Sequence, residues 1–215
     1  MLHIHDASQF MVGPDEGDQP SPEGPLLRAM FAARKSVFVD LLKWDVPVLA
    51  GRYEVDQFDN PNALYLILAD RDGAHLASAR LLPTMHPHIL DSFYTCLCEQ
   101  TPPQGPDIFE ITRFCLDRRL RASERRQARD SLICALVDHA LAQDMRDYVA
   151  IAELNWLSQI LAFGWECRPL GLPQLIDGRM LGAISIHIDA TTSDRLAAAG
   201  IRPCRSLCIA ALPSV

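Results

Sequence analysis

Ala63-Leu-Tyr-Leu-Ile-Leu-Ala69, Asp70-Arg-Asp-Gly73 and Ala74-His-Leu-Ala-Ser-Ala-Arg80-Leu-Leu82 follow one another in the chain. Two apolar runs around an Asp-Gly turn predict a β-hairpin. Working outward, Ile108–Leu116, Tyr148–Ala152, Glu166–Leu170 and Met180–Ile188 read as further strands; in the last, Ile184, Ile186 and Ile188 alternate with Ser185 and His187. Residues 1–5 alternate enough for a short strand. Leu26, Leu27, Met30, Phe31, Arg34, Phe38 and Leu41 recur at helical spacing, which predicts a helix over 26–42. A long helix follows Leu116, with Leu132, Ile133, Leu136, Val137, Ala140 and Leu141 on its buried face, and Trp156–Phe163 is a shorter one. Residues 13–25, acidic and rich in Pro and Gly, read as a mobile loop. Prolines 83, 87, 102, 103 and 106 bracket a less regular stretch containing Phe93. Helices and strands alternating around one mixed sheet predict an α/β sandwich in a single domain, 1–215.

Composition narrows the function classes. The 215 residues are 49% hydrophobic and 22% charged, an ordinary globular balance. No apolar run approaches the ~20 residues of a membrane helix, and the N-terminus lacks the charged-then-apolar pattern of a signal peptide. Seven cysteines, an odd number without a Cys-x-x-Cys pair, fit reduced thiols in a cytoplasm. A net charge of −7 argues against non-specific nucleic-acid binding. His86-Pro-His88 has metal-like spacing without a partner set, so it reads as a loop with two exposed histidines and no metal site.

The chemistry-bearing residues flank the hairpin. Arg34-Lys-Ser-Val-Phe38 and Trp44 precede Glu54-Val-Asp56-Gln-Phe-Asp59; Arg80, Phe93 and Phe109-Glu110-Ile-Thr-Arg113-Phe114 follow. Glu54 and Asp56, two apart, share one face of an extended segment, and Asp59 needs a turn that Asn60-Pro61 can begin. Three carboxylates this close repel unless arginines intervene, and Arg34, Arg80 and Arg113 are the natural counter-charges. The plainer reading is a set of scaffold salt bridges. Glu110 and Arg113, three apart, point to opposite faces of a regular strand and serve one cleft only across a bulge.

In this order and spacing the chain resembles the LuxI-type acyl-homoserine-lactone synthases of bacterial quorum sensing, over roughly residues 26 to 190. The resemblance implies a three-layer αβα sandwich of the GCN5-related N-acyltransferase type, with a mixed central sheet and a splayed strand pair. It implies transfer of an acyl group from an acyl carrier protein or acyl-CoA thioester to the amine of S-adenosylmethionine, then lactone closure and release of methylthioadenosine. S-adenosylmethionine is then a cosubstrate, with no cofactor bound permanently. By the same resemblance Glu54, directly or through a water, assists deprotonation, and Glu110 and Arg113 complete the catalytic set. Arg34, Phe38, Trp44, Asp56, Asp59, Arg80 and Phe93 surround the cosubstrate, although Phe38 by itself reads better as core packing. The backbone N–H groups near Phe114 and Cys115 would hold the developing oxyanion. Trp156, where relatives commonly carry methionine, would line the acyl tunnel. Arg118, Arg121, Arg125 and Arg129 fall near one helical face and form a stripe suited to an acidic carrier protein. Two alternatives stand beside this: an N-acyltransferase acting on another amine without forming a lactone, and a catalytically silent ligand-binding relative.

Overall fold

The computed structural model describes residues 2–6 and 23–204, so the loop expected over 13–22 lies outside the described residues. Its elements run β1 (Leu2–Asp6), α1 (Glu23–Arg34), β2 (Val48–Leu49), β3 (Tyr53–Glu54), β4 (Leu64–Ala69), β5 (His75–Pro83), α2 (Ile89–Phe93) and β6 (Ile108–Leu116). Then come α3 (Ala122–Ala142), β7 (Asp147–Glu153), α4 (Leu154–Leu161), β8 (Glu166–Pro169), β9 (Gln174–Ile176), β10 (Arg179–His187) and α5 (Thr192–Ala198). The chain divides into two compact units, residues 1–80, 113–132 and 203–215, and residues 81–112 and 133–202. β5, β6 and α3 pass from one into the other.

In the first unit β1 lies antiparallel to β4, from Leu2 opposite Leu68 to Asp6 opposite Leu64, and β4 neighbours β5. The expected hairpin is there. The Asp70 carboxylate closes its turn by accepting the N–H groups of Asp72 and Ala74, and Gly73 takes the positive φ of 80° that a side chain would resist. α1 buries Leu26, Met30 and Arg34 along one row and Leu27 and Phe31 along the next, and packs on β3. Glu23–Pro25, expected in the loop, instead open this helix; Pro25 sits in the first turn, where no intrahelical N–H is needed.

The helix expected over 26–42 is regular only to Arg34. Lys35–Leu41 widens to π geometry, with the Leu42 N–H reaching back five residues to the Val37 carbonyl (2.9 Å) and the Trp44 N–H six residues to Phe38 (2.9 Å). Periodicity does not separate a π turn from an α turn over so short a stretch.

In the second unit the strands order β6-β7-β10-β8, with β9 paired to β10. β6 and β7 run parallel, Ile108 opposite Asp147 to Ile111 opposite Ala150, whereas β10 is antiparallel to β7 and β8. The sheet is therefore mixed, as the alternation of elements predicts. Leu90, Leu97, Ile108, Val149 and Ala183 form a buried cluster there. Gly164 turns the chain after α4 with φ 94°, and a Cβ would sit 2.7 Å from the Arg195 carbonyl oxygen, so only glycine fits. α3 buries Leu132, Ile133, Leu136, Val137 and Ala140, but Leu141 is exposed, a correction to the expected face. The short elements β2, β3, β9, α2 and α5 carry too few residues to show a period, and the sequence did not reveal them.

Candidate active site

Arg34, Glu54, Asp56, Asp59, Arg80 and Arg113 converge within the first unit. Arg34, at the end of α1, donates from Nε to Glu54 Oε2 (2.5 Å) and from Nη1 and Nη2 to the two oxygens of Asp59 (2.8 and 2.9 Å). Arg80, on β5, forks onto Asp56 (2.7 and 3.1 Å) and also meets Asp59 (2.8 Å). Arg113, on β6, donates to Glu54 Oε1 from Nε and Nη2 (3.1 and 3.0 Å) and to Asp56 Oδ2 (2.7 Å). Three guanidinium groups thus face three carboxylates, leaving the cluster formally neutral (3 − 3 = 0). Such forks are the strongest hydrogen bonds available to these groups. They are also obligatory, because a buried charge without its partner is very costly.

The carboxylate segment reaches this geometry by a tight turn placed earlier than Asn60-Pro61. The Asp59 N–H donates to the Asp56 carbonyl (3.0 Å), the Asp56 N–H to Asp59 Oδ2 (2.8 Å) and the Phe58 N–H to Asp56 Oδ1 (2.8 Å). Each aspartate caps the turn with the same carboxylate that meets the arginines, so Asp56 and Asp59 need no extended strand to share the cluster. Burial alone would raise the Asp59 carboxyl, but the guanidinium groups of Arg34 and Arg80 outweigh it and hold the group well below the usual carboxylate range.

Glu54 is fully buried, with Arg34 on one oxygen and Arg113 on the other. Both oxygens are committed to guanidinium groups, so Glu54 ties Arg34 to Arg113. Three contributors went unnoticed in the sequence. The Tyr65 hydroxyl donates to Asp59 Oδ1 (2.7 Å), the Phe31 ring lies under Arg34 (5.0 Å) and Phe58 under Arg80 (5.9 Å). A tyrosine inside an apolar strand was the only available signal.

Phe38 and Trp44 stack at 4.7 Å with 22° between planes, and the Arg113 guanidinium lies 5.6 and 5.7 Å from the two rings. The π turn is what brings residues six apart into this register. Phe38 is buried and Trp44 half-buried. The aromatic pair and the carboxylates therefore grip the same cation.

Arg113 itself breaks β6. Its φ is 51°, a left-handed conformation that costs a non-glycine residue about 1 kcal/mol or more. Burial in β6 stops alternating there: Glu110, Ile111 and Thr112 are consecutively buried, and the parallel register with β7 ends at Ile111. This is the bulge the Glu110–Arg113 spacing calls for. Glu110, however, lies in the second unit, where its carboxylate accepts the N–H groups of Ile89 (2.7 Å) and Leu90 (3.1 Å). It caps α2 from a distant strand, a contact no local pattern announces. Phe93, expected as a pocket wall, ends the same helix with 59% of its surface exposed.

The arginine stripe is not one helical face. Arg118 lies in the turn before α3 and Arg121 immediately precedes it. Arg125 donates to the Asp117 carbonyl (3.3 Å) and Arg129 pairs with Asp130 (2.6 Å). Phe114 is half-buried and Cys115 buried, its thiol pushed up to about 12 by burial, so it stays protonated. Trp156, on α4, is half-buried and edge-on to Phe163 at 6.0 Å. His88 is fully buried, with its Nδ1 against the His86 carbonyl (3.0 Å), which corrects the expectation of two exposed histidines. Among the described residues no group of His, Cys, Asp and Glu is arranged to hold a metal, and no helix is long and apolar enough to cross a membrane.

The chain is similar to proteins of known family and fold. A family model described as autoinducer synthase matches residues 23–196. An acyl-homoserine-lactone synthase of Ralstonia nicotianae is 32% identical over 174 residues, covering 78% of this chain and 84% of that protein. The structure of BjaI, a CoA-dependent acyl-homoserine lactone synthase with SAM and isopentyl-CoA, superposes with a TM-score of 0.82 at 24% identity, over 100% of this chain and 95% of that one. An acyl-CoA N-acyltransferase from Pseudomonas aeruginosa shares the fold at 18% identity, with a TM-score of 0.52 over 86% of this chain and 97% of the other.

Proposed function

The chain belongs to the autoinducer synthase family and acts as an acyl-homoserine-lactone synthase, an acyltransferase; on that premise we propose how its residues divide the work. Arg113 carries the reading. It stands at the break in β6, held by Glu54 and Asp56 on one side and by the Phe38–Trp44 pair on the other.

S-adenosylmethionine brings a carboxylate that suits a guanidinium and a sulfonium that suits an aromatic face. Phe38, Trp44 and the rim of the cluster are its binding surface, with Arg34, Arg80 and Asp59 as the frame behind it. Glu54 fixes Arg34 and Arg113 in place. The amine proton passes to water at the rim of the cluster, where Asp56 is 7% exposed against 2% for Asp59 and none for Glu54. The amine then attacks the thioester carbonyl, and the backbone N–H groups past Arg113, at Phe114 and Cys115, face the negative charge that develops on oxygen; collapse of this intermediate breaks the carbon–sulfur bond, forms the amide and releases the donor as its thiol. Attack of the cosubstrate's own carboxylate on the carbon attached to sulfur closes the lactone and expels methylthioadenosine. Trp156 shapes the acyl tunnel.

The donor is an acyl carrier protein, which the exposed arginines before α3 suit by charge. A coenzyme A thioester is the second reading, favoured by the close superposition on a CoA-dependent synthase. Free thiols at Cys96, Cys98, Cys115 and Cys167 suit a reducing compartment, and we place the enzyme in the cytoplasm.

The test is mass spectrometry of products from S-adenosylmethionine with a panel of carrier-protein and coenzyme A thioesters. Methylthioadenosine together with a lactone is expected, and the lactone mass gives the acyl group. Thioester cleavage without methylthioadenosine would overturn the cosubstrate assignment.

A further inference from the structure

We infer that Asp117 is the positioning residue of the acyl-donor surface: it fixes the turn between β6 and α3 and thereby decides which of the arginines there are presented to the donor. The inference rests on the reading that this turn docks the donor.

The residue is nearly fully buried just past the end of β6, and its side chain points back into the turn. Oδ1 accepts the Arg119 N–H (2.8 Å) and the Arg119 Nε (3.0 Å), while Oδ2 accepts Nη2 (2.7 Å). Its own N–H donates to the Leu76 carbonyl on β5 (2.9 Å). Its carbonyl accepts the Leu120 N–H (3.2 Å) and the Arg125 guanidinium (3.3 Å). One residue thus ties the turn to the sheet, closes it with an aspartate cap and anchors the first turn of α3. Arg121 completes the join: its carbonyl takes the Arg125 N–H (2.8 Å) as the first helical bond, and its N–H donates to the Glu124 carboxylate (2.8 Å), which caps it.

The consequence is a sorting of charge. Six arginines lie between Leu116 and Asp130. Arg119 is neutralised by Asp117 although its side chain is 76% exposed. Arg125 is drawn onto the Asp117 carbonyl and Arg129 onto Asp130. Arg118, Arg121 and Arg126 are exposed and have no acidic side chain on their guanidinium groups among the described residues. These are the cations an acidic carrier protein meets, and their spacing is set by the Asp117 turn rather than by a helical stripe. A mobile turn would have to be ordered at each encounter, which weakens binding; a turn already closed avoids that cost.

Steady-state kinetics of the full-length protein with an acyl carrier protein thioester and S-adenosylmethionine test this. Asp117→Ala should raise the donor KM about five- to tenfold, the scale of a lost cap converted to affinity, with kcat and the KM for S-adenosylmethionine within about twofold. Asp117→Asn keeps an acceptor for the Arg119 N–H and should return the donor KM to within about twofold of the parent. Should Asp117→Ala fail to fold, Asp117→Gln takes its place, since the longer side chain moves the amide off the Arg119 N–H. Arg118→Glu, Arg121→Glu and Arg126→Glu combined test the docking surface itself and should raise the donor KM alone. A raised donor KM in that variant with an unchanged one in Asp117→Ala overturns the positioning role and leaves docking standing. No effect of the triple reversal on the donor KM overturns docking. Equal rises in both substrates' KM for Asp117→Ala reduce Asp117 to general stability and also overturn the proposal.

Discussion

Two groups of arginines within the first unit follow opposite logic. Arg34, Arg80 and Arg113 are almost wholly enclosed, and each meets two carboxylates. Arg118, Arg121 and Arg126 stand in solvent before and at the start of α3. Inside, a guanidinium must be neutralised because water cannot do it; outside, water and salt screen the charge and leave it available to a partner. Buried arginines therefore specify geometry, and exposed ones specify encounter. Acidic residues show the same division: Glu54, Asp56 and Asp59 hold the frame, whereas Asp117 selects which cations remain on offer.

The largest effect expected from this contrast is in the cluster. Glu54→Ala strips Arg34 and Arg113 of a shared partner and should cost about 3–5 kcal/mol in chemical denaturation, with activity falling because folded protein falls. A loss below about 1 kcal/mol, with turnover abolished, would return Glu54 to a chemical role and break the comparison.

Acid should separate the two regions in a defined order. Burial lowers the His75 ring to about 4 from its ordinary 6.5, partly opposed by the nearby Asp117 carboxylate. The unfolded chain then takes up this proton before the folded one does, so stability falls as pH drops from about 6.5 to about 4, by up to about 3 kcal/mol, and levels below. Asp59 behaves in the other sense: its folded carboxyl is depressed, so its contribution persists above the ordinary aspartate range and fades only in stronger acid. Melting followed from pH 7 to 4 should show the His75 loss together with a contribution from His139, which burial also lowers, and His75→Gln should reduce the slope. An unchanged slope in that variant would place the early loss elsewhere.

The smallest effect belongs to the exposed side. Arg118→Ala and Arg121→Ala should each alter stability by no more than about 0.5 kcal/mol, measured by thermal melting. A larger destabilisation would mean that these arginines are built into the fold and that the two groups do not differ in kind.

By itself the sequence determined the hairpin, the length of β6, the long helix and the set of residues that belong together. Each announces itself locally, through a period of two or 3.6, an Asp-Gly turn, or charged residues set in apolar surroundings. The resemblance of the chain to its family pointed to Arg34, Arg80 and Arg113 as counter-charges, and the need to neutralise three neighbouring carboxylates agreed with it. Tertiary structure decided the rest. Arg113 and Glu54 are 59 residues apart in the chain, and Glu110 and Ile89 are 21 apart, so no local pattern could show that one carboxylate seals a pair of arginines while the other caps a helix. The π turn that stacks Trp44 on Phe38, the left-handed Arg113 and the sorting of six arginines into paired and exposed ones likewise depend on what the folded chain brings alongside. Spacing reports which face a side chain occupies; only the fold supplies the partner that faces it.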